Sequence, residues 1–84
     1  MKTTINPKDW VHHKPCSMYN RNVYYNEKTD EYIVETCHEC HDYYSYDWCD
    51  EWGNVFDYIG IPTTNEWQSI FDREEIVELD TDIC

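Results

Sequence analysis

Eighty-four residues are enough for one domain, and a chain this short buries only about 60% of the surface its unfolded form exposes. A net charge of −12 sets the chain against nucleic acid and anionic membranes as direct partners, and no apolar run approaches the ~18 residues that span a bilayer. Four Trp, eight Tyr and two Phe stand beside a single Leu and no Ala, so the core must be built from bulky rings.

The charge is unevenly placed. Residues 1–34 sum to +1, whereas residues 35–84 carry fourteen acids against Arg73 alone, a balance of −13. Such a field speeds encounter with a basic surface, and proteins that bind nucleic acid are its natural partners. The same acids also keep an aromatic-rich chain in solution. The start Met1-Lys2-Thr3-Thr4 has no apolar stretch of the export type, so the expected compartment is a reducing cytoplasm, where thiols stay free or bind metal.

In chain order, residues 1–15 read as irregular, with Asn6-Pro7-Lys8-Asp9-Trp10 opening a short helical turn on its proline. Two β-rich runs, Asn22 to Tyr25 and Glu31 to Thr36, flank a polar stretch over residues 26–30 and predict a hairpin. Its second strand sets Tyr32 and Val34 on one face, Ile33 and Glu35 on the other. Tyr44, Trp48, Trp52, Val55, Phe56 and Ile59 recur at helical spacing, which predicts an amphipathic helix over residues 45–58, weakened by Gly53 and ended by Gly60 and Pro62. Thr63 and Glu66 form a capping-box pattern for a second, shorter helix carrying Trp67, Ile70 and Phe71. Residues 75–79 are rich in strand formers and read as an edge strand, and residues 80–84 as a solvated tail. The expected fold is α+β: one domain over residues 1–84, with a zinc-ribbon-like β-hairpin over 13–44 followed by two short helices in an acidic half over 45–84.

Four of the five Cys and all four His lie between His12 and Cys49. His13-Lys14-Pro15-Cys16 and Cys37-His38-Glu39-Cys40 are short ligand pairs on either side of the hairpin, the arrangement a tetrahedral structural zinc site uses. His12, His38, His41 and Cys49 are near enough in sequence to replace one of the four, and the plain alternative is that the cysteines are small buried hydrophobes. Lys14-Pro15-Cys16 with Tyr32-Ile33-Val34-Glu35-Thr36-Cys37-His38-Glu39-Cys40 resembles the zinc-ribbon proteins grouped with phage and prophage restriction alleviation. The opening, Met1 to Trp10, is similar to the start of a phage restriction-alleviation protein. That family carries CPxC in its first knuckle, and here the second cysteine of that knuckle falls at Tyr19; placing His13 and Cys16 in the knuckle keeps four ligands, His13, Cys16, Cys37 and Cys40. The resemblance implies a structural Zn²⁺ and a phage-type inhibitor of a host defence enzyme.

Other chemistries are weaker. Cys37-His38-Glu39-Cys40-His41 fits the CxxCH haem-attachment pattern, with Met18 as an axial ligand, but haem attachment needs export. Adjacent acids raise thiol pKa and disfavour redox use of Cys37 and Cys40, and only proximity nominates Glu39 as a general base. Four ligands make a closed site, so no enzyme activity is expected.

Between Asp42 and Asp57 the sequence interleaves aromatic rings with acids. Asp42, Tyr43, Tyr46, Asp47, Asp50, Glu51 and Asp57 form the candidate partner surface, with carboxylates standing in for duplex phosphates against a basic host nucleic-acid-binding protein. The stripe Tyr44, Trp48, Trp52 and Phe56 reads as core. The competing expectations are a zinc-ribbon adaptor that imitates no nucleic acid, and a small metalloenzyme or electron carrier.

Overall fold

The computed structural model describes residues 2–15, 20–38, 43–62 and 68–80. Seven antiparallel strands form one sheet: β1 (Lys2–Ile5), β2 (Val11–Pro15), β3 (Arg21–Asn26), β4 (Glu31–His38), β5 (Tyr43–Cys49), β6 (Val55–Pro62) and β7 (Val77–Asp80). Their spatial order is β1-β7-β6-β5-β4-β3-β2, so the two edge strands are successive in sequence. That connectivity forces the sheet to curl. Seven strands laid flat span roughly 29 Å at ~4.8 Å per gap, whereas the link from Ile5 to Val11 reaches at most about 21 Å even fully extended. The link is shorter still, because Pro7–Asp9 forms a 3-10 turn capped by the Asn6 side chain, which accepts from the Lys8 N–H at 3.2 Å. The result is an all-β half-barrel of 28 × 26 × 22 Å.

The expected α+β arrangement is therefore corrected: the described residues contain no α-helix. The segment read as a helix over 45–58 is the β5–β6 hairpin. Its stripe residues recur every four positions, and four is both one helical turn and two full strand repeats, so the spacing fits either structure. Tyr46, between Tyr44 and Trp48, completes the strand pattern, because all three turn to the concave core. Gly53 is not a helix interior but a turn residue at φ +89°, a region open to glycine. Gly60, expected as a helix stop, lies within β6 at φ +135°, paired with Tyr46 beside a bulge. For the second expected helix, Thr63, Glu66 and Trp67 lie outside the described residues, and Ile70–Asp72 is a single 3-10 turn capped by Ser69. The strand expected over 75–79 is β7, paired on both sides instead of at an edge.

The first hairpin forms as its pattern predicts, with Tyr24 opposite Ile33 and Val23 opposite Val34. Asp30 closes its turn at φ +58°, its N–H donating to the Asn26 carbonyl at 2.8 Å. Inside the curl, Ile5, Trp10, Ile33, Tyr46, Ile59, Ile70, Val77 and Leu79 form one buried cluster. Phe71, carried by the second 3-10 turn, stacks on Tyr24 with centroids 3.9 Å apart and meets Trp10 at 5.9 Å. On the outer face Val23, Val34 and Cys49 form a smaller cluster under Tyr32.

Candidate functional site

Two polar features stand out, one inside the curl and one at its end. The inner one is Glu35, 3% exposed on β4. Tyr46 Oη donates to its Oε2 at 2.7 Å, and Ser69 Oγ donates to the same oxygen. Tyr46 Oη in turn accepts from the Ile70 N–H at 3.0 Å, and Ser69 Oγ accepts from the Phe71 N–H at 3.2 Å. Burial pushes the Glu35 carboxyl above the usual carboxylate range, outweighing the two hydroxyl donors that oppose the shift. Burial first, and Glu35 second, push the Tyr24 phenol up to about 12. These bonds tie the second 3-10 turn to β4 and β5, so the cluster reads as a polar knot that closes the concave face.

The outer feature is a groove of about 720 Å³ at the end of the sheet where β4 begins and β5 ends. Asp30 and Glu31 from the first hairpin, and Asp50, Glu51 and Asp57 from the second, supply five carboxylates to its lining, and among the described residues no basic side chain lines it. Tyr32, Trp48, Trp52 and Phe56 supply the rings. Trp52 is 63% exposed and Phe56 72%, so two rings expected in the core stand in solvent.

Local chemistry explains the display. Asp50 Oδ1 accepts the N–H groups of Trp52 and Asn54, each at 2.9 Å, and Oδ2 accepts from Asn54 Nδ2 at 3.1 Å. These bonds hold the Asp50 carboxyl below the usual range, the Asn54 N–H foremost. Asp50 thus builds the turn that carries Trp52 outward. Asp30 accepts from Tyr25 Oη at 2.9 Å, and Asp57 Oδ1 accepts from the Tyr58 N–H at 2.9 Å. The Glu31 and Glu51 carboxylates make no hydrogen bond or ion pair among the described residues, and the Lys28 ammonium is engaged by Asp9 at 2.8 Å, outside the groove lining. Burial raises the Tyr32 phenol pKa, with Glu51 and then Asp30 adding to the shift, a local trace of the negative field.

The expected partner surface divides accordingly. Asp50, Glu51 and Asp57 meet in the groove. Tyr46 is corrected to a core residue at 0% exposure. Asp47 is half-buried opposite Val34, its carboxyl raised by burial against the opposing pull of Arg21 and His38. Tyr43 stacks on His38 with centroids 4.5 Å apart, about 20 Å along β5 from Cys49. Asp42 lies outside the described residues.

Of the expected zinc ligands, Cys16 and Cys40 lie outside the described residues. His13 and Cys37 are not brought together. The His13 ring packs on Tyr25 and Tyr32 on the outer face, at centroid distances of 6.3 and 5.2 Å. Cys37 lies on the concave face opposite Tyr44, about 17 Å along β4 from Tyr32. Among the described residues no group of three or more His, Cys, Asp or Glu side chains is placed to hold a metal.

Sequence reasoning missed Asp30, Glu31, Tyr32, Trp52 and Phe56 as groove residues. The signal for the second wall was present in Asp50-Glu51-Trp52-Gly53-Asn54, a run with three turn-forming residues. No family model, curated protein or solved structure matches the chain. Fold and site together define a class: a small acidic half-barrel with an acid-and-aromatic groove at one end.

Proposed function

We propose that this chain is a non-enzymatic binding protein that occupies the basic, nucleic-acid-binding surface of another protein and excludes its nucleic acid, as a phage-type inhibitor of a restriction or CRISPR effector would. One observation carries the reading: a groove with five carboxylates, exposed rings and, among the described residues, no basic lining residue, on a chain of net charge −12. Carboxylates in such an array attract the lysines and arginines that a nucleic-acid-binding cleft offers to phosphate. The exposed rings add the desolvated contact area on which interface affinity concentrates. The polar knot at Glu35 supports a structural role for the most buried carboxylate, since its bonds end on the protein's own turn.

The test is competition on an immobilised restriction or CRISPR effector between this protein and labelled duplex DNA. Mutual displacement is expected, with affinity falling steeply between about 50 mM and about 200 mM salt. Glu31→Gln, Glu51→Gln and Asp57→Asn combined weaken binding while leaving the turn acceptor Asp50 in place. Salt-insensitive binding with no displacement of DNA would refute the proposal and leave an adaptor that docks through its rings alone.

A further inference from the structure

We propose that the groove seats an arginine side chain from an extended segment of the partner protein, its guanidinium against the Trp52 and Phe56 rings and facing Glu31, Glu51 and Asp57. This rests on the function proposed above and names the chemistry of its contact.

Charge excludes most other occupants. A phosphate, nucleotide or acidic peptide would meet five carboxylates and, among the described residues, no compensating cation in the lining. A purely apolar segment would cover Glu31 and Glu51 without giving either a partner, which is costly for a charged group. A cation resolves both difficulties, because carboxylates and ring faces attract it together.

The choice of arginine over lysine follows from the mixed lining. A guanidinium is planar, weakly hydrated and able to stack on a ring while bonding a carboxylate in its own plane. An ammonium is a strongly hydrated point charge that loses more on leaving water. Shape adds the extended segment. At about 720 Å³ the groove lies within the range of ~300–1,000 Å³ typical of ligand sites and leaves room for flanking main chain. A second cleft of about 350 Å³ shares Glu31 and Trp48 with it and continues past Asn26 and Thr29 toward Trp10 and the exposed Ile76. The two adjoin at Glu31 and Trp48; rings and acids line nearly all of the first, whereas threonine, asparagine and isoleucine line most of the second, which suits flanking main chain.

The experiment is a tryptophan-fluorescence titration of the full chain at about 0.15 M salt with three capped peptides, identical except for arginine, lysine or citrulline at the central position. Saturable binding of the arginine peptide is expected, with lysine several-fold weaker and citrulline, its neutral isostere, without measurable binding. Trp52→Ala with Phe56→Ala, and separately Glu51→Gln with Asp57→Asn, reduce affinity by roughly tenfold or more. All four residues are exposed, and far-ultraviolet circular dichroism verifies that each variant keeps its sheet. Glu74→Gln with Glu75→Gln removes the same charge outside the groove and changes affinity by less than about twofold.

Equal losses from the groove and distant pairs would reduce the effect to overall charge and overturn the proposal, as would equal binding of the lysine or citrulline peptide. The two readings fail separately. Displacement of DNA from the effector without arginine-peptide binding sinks the groove assignment alone; arginine-peptide binding without displacement of DNA sinks the inhibitor reading alone.

Discussion

Glu35 shows how one buried carboxyl can shape both stability and its pH dependence. Its folded pKa is raised, so between the ordinary carboxylate pKa and the folded value the native state holds a proton that the unfolded state has lost. Stability therefore falls as pH rises through that window. Glu35→Gln removes this slope and is expected to match or exceed wild-type stability at neutral pH, while Glu35→Ala leaves the Tyr46 and Ser69 hydroxyls without their acceptor and lowers stability by roughly 1–3 kcal/mol. Urea unfolding of the three proteins between acid and neutral pH checks both; a Gln variant that keeps the wild-type slope would show that Glu35 is not its source. Tyr46→Phe removes the donor to Glu35 and the acceptor of the Ile70 N–H, and is expected to cost about 1–3 kcal/mol in the same measurement.

Among the elements, the β5–β6 turn has the clearest division of labour: Asp50 and Gly53 build it, and Glu51 and Trp52 face outward. Gly53→Ala is expected to lose about 1–2 kcal/mol, because a Cβ is unfavourable at positive φ. The unfolding midpoint should drop with an unchanged denaturant slope; an unchanged midpoint would mean that the turn relaxes to another geometry. Asp50 has a lowered pKa, so its contribution is present above the ordinary aspartate pKa and lost as pH falls through the lower folded value. The placement of β2 and β4 gives a different prediction. His13 and Cys37 lie on opposite faces and far apart along the sheet, so His13→Ala should leave the zinc-to-protein ratio of purified protein unchanged from wild type by plasma mass spectrometry. A ratio that falls with this single substitution would show that His13 holds zinc with ligands other than Cys37.

Across the whole molecule, how much could be read in advance depended on whether a signal was local. The first hairpin was legible because Asn26 to Asp30 separates two β-rich runs and alternation alone assigns their faces. The second hairpin was not, because Tyr44, Trp48, Trp52 and Phe56 repeat every four residues and satisfy both periods. Of the candidate partner residues, Asp50, Glu51 and Asp57 reached the groove, while Tyr46 turned into the core. By itself the sequence determined the charge asymmetry, the first hairpin and the Pro7 turn, all of which follow from composition or from residues close in the chain, whereas the core expected from rings is mainly aliphatic, with Ile5, Ile33, Ile59, Ile70, Val77 and Leu79 around Trp10 and Tyr46. Only the tertiary structure decided that residues 45–62 are strands, that Glu35 is sealed beneath Ser69, and that Asp30 and Glu31 face Glu51 and Asp57 across one groove. The reason is that these features depend on strand pairing between distant segments, and the short link between the two edge strands makes that pairing curl into a half-barrel.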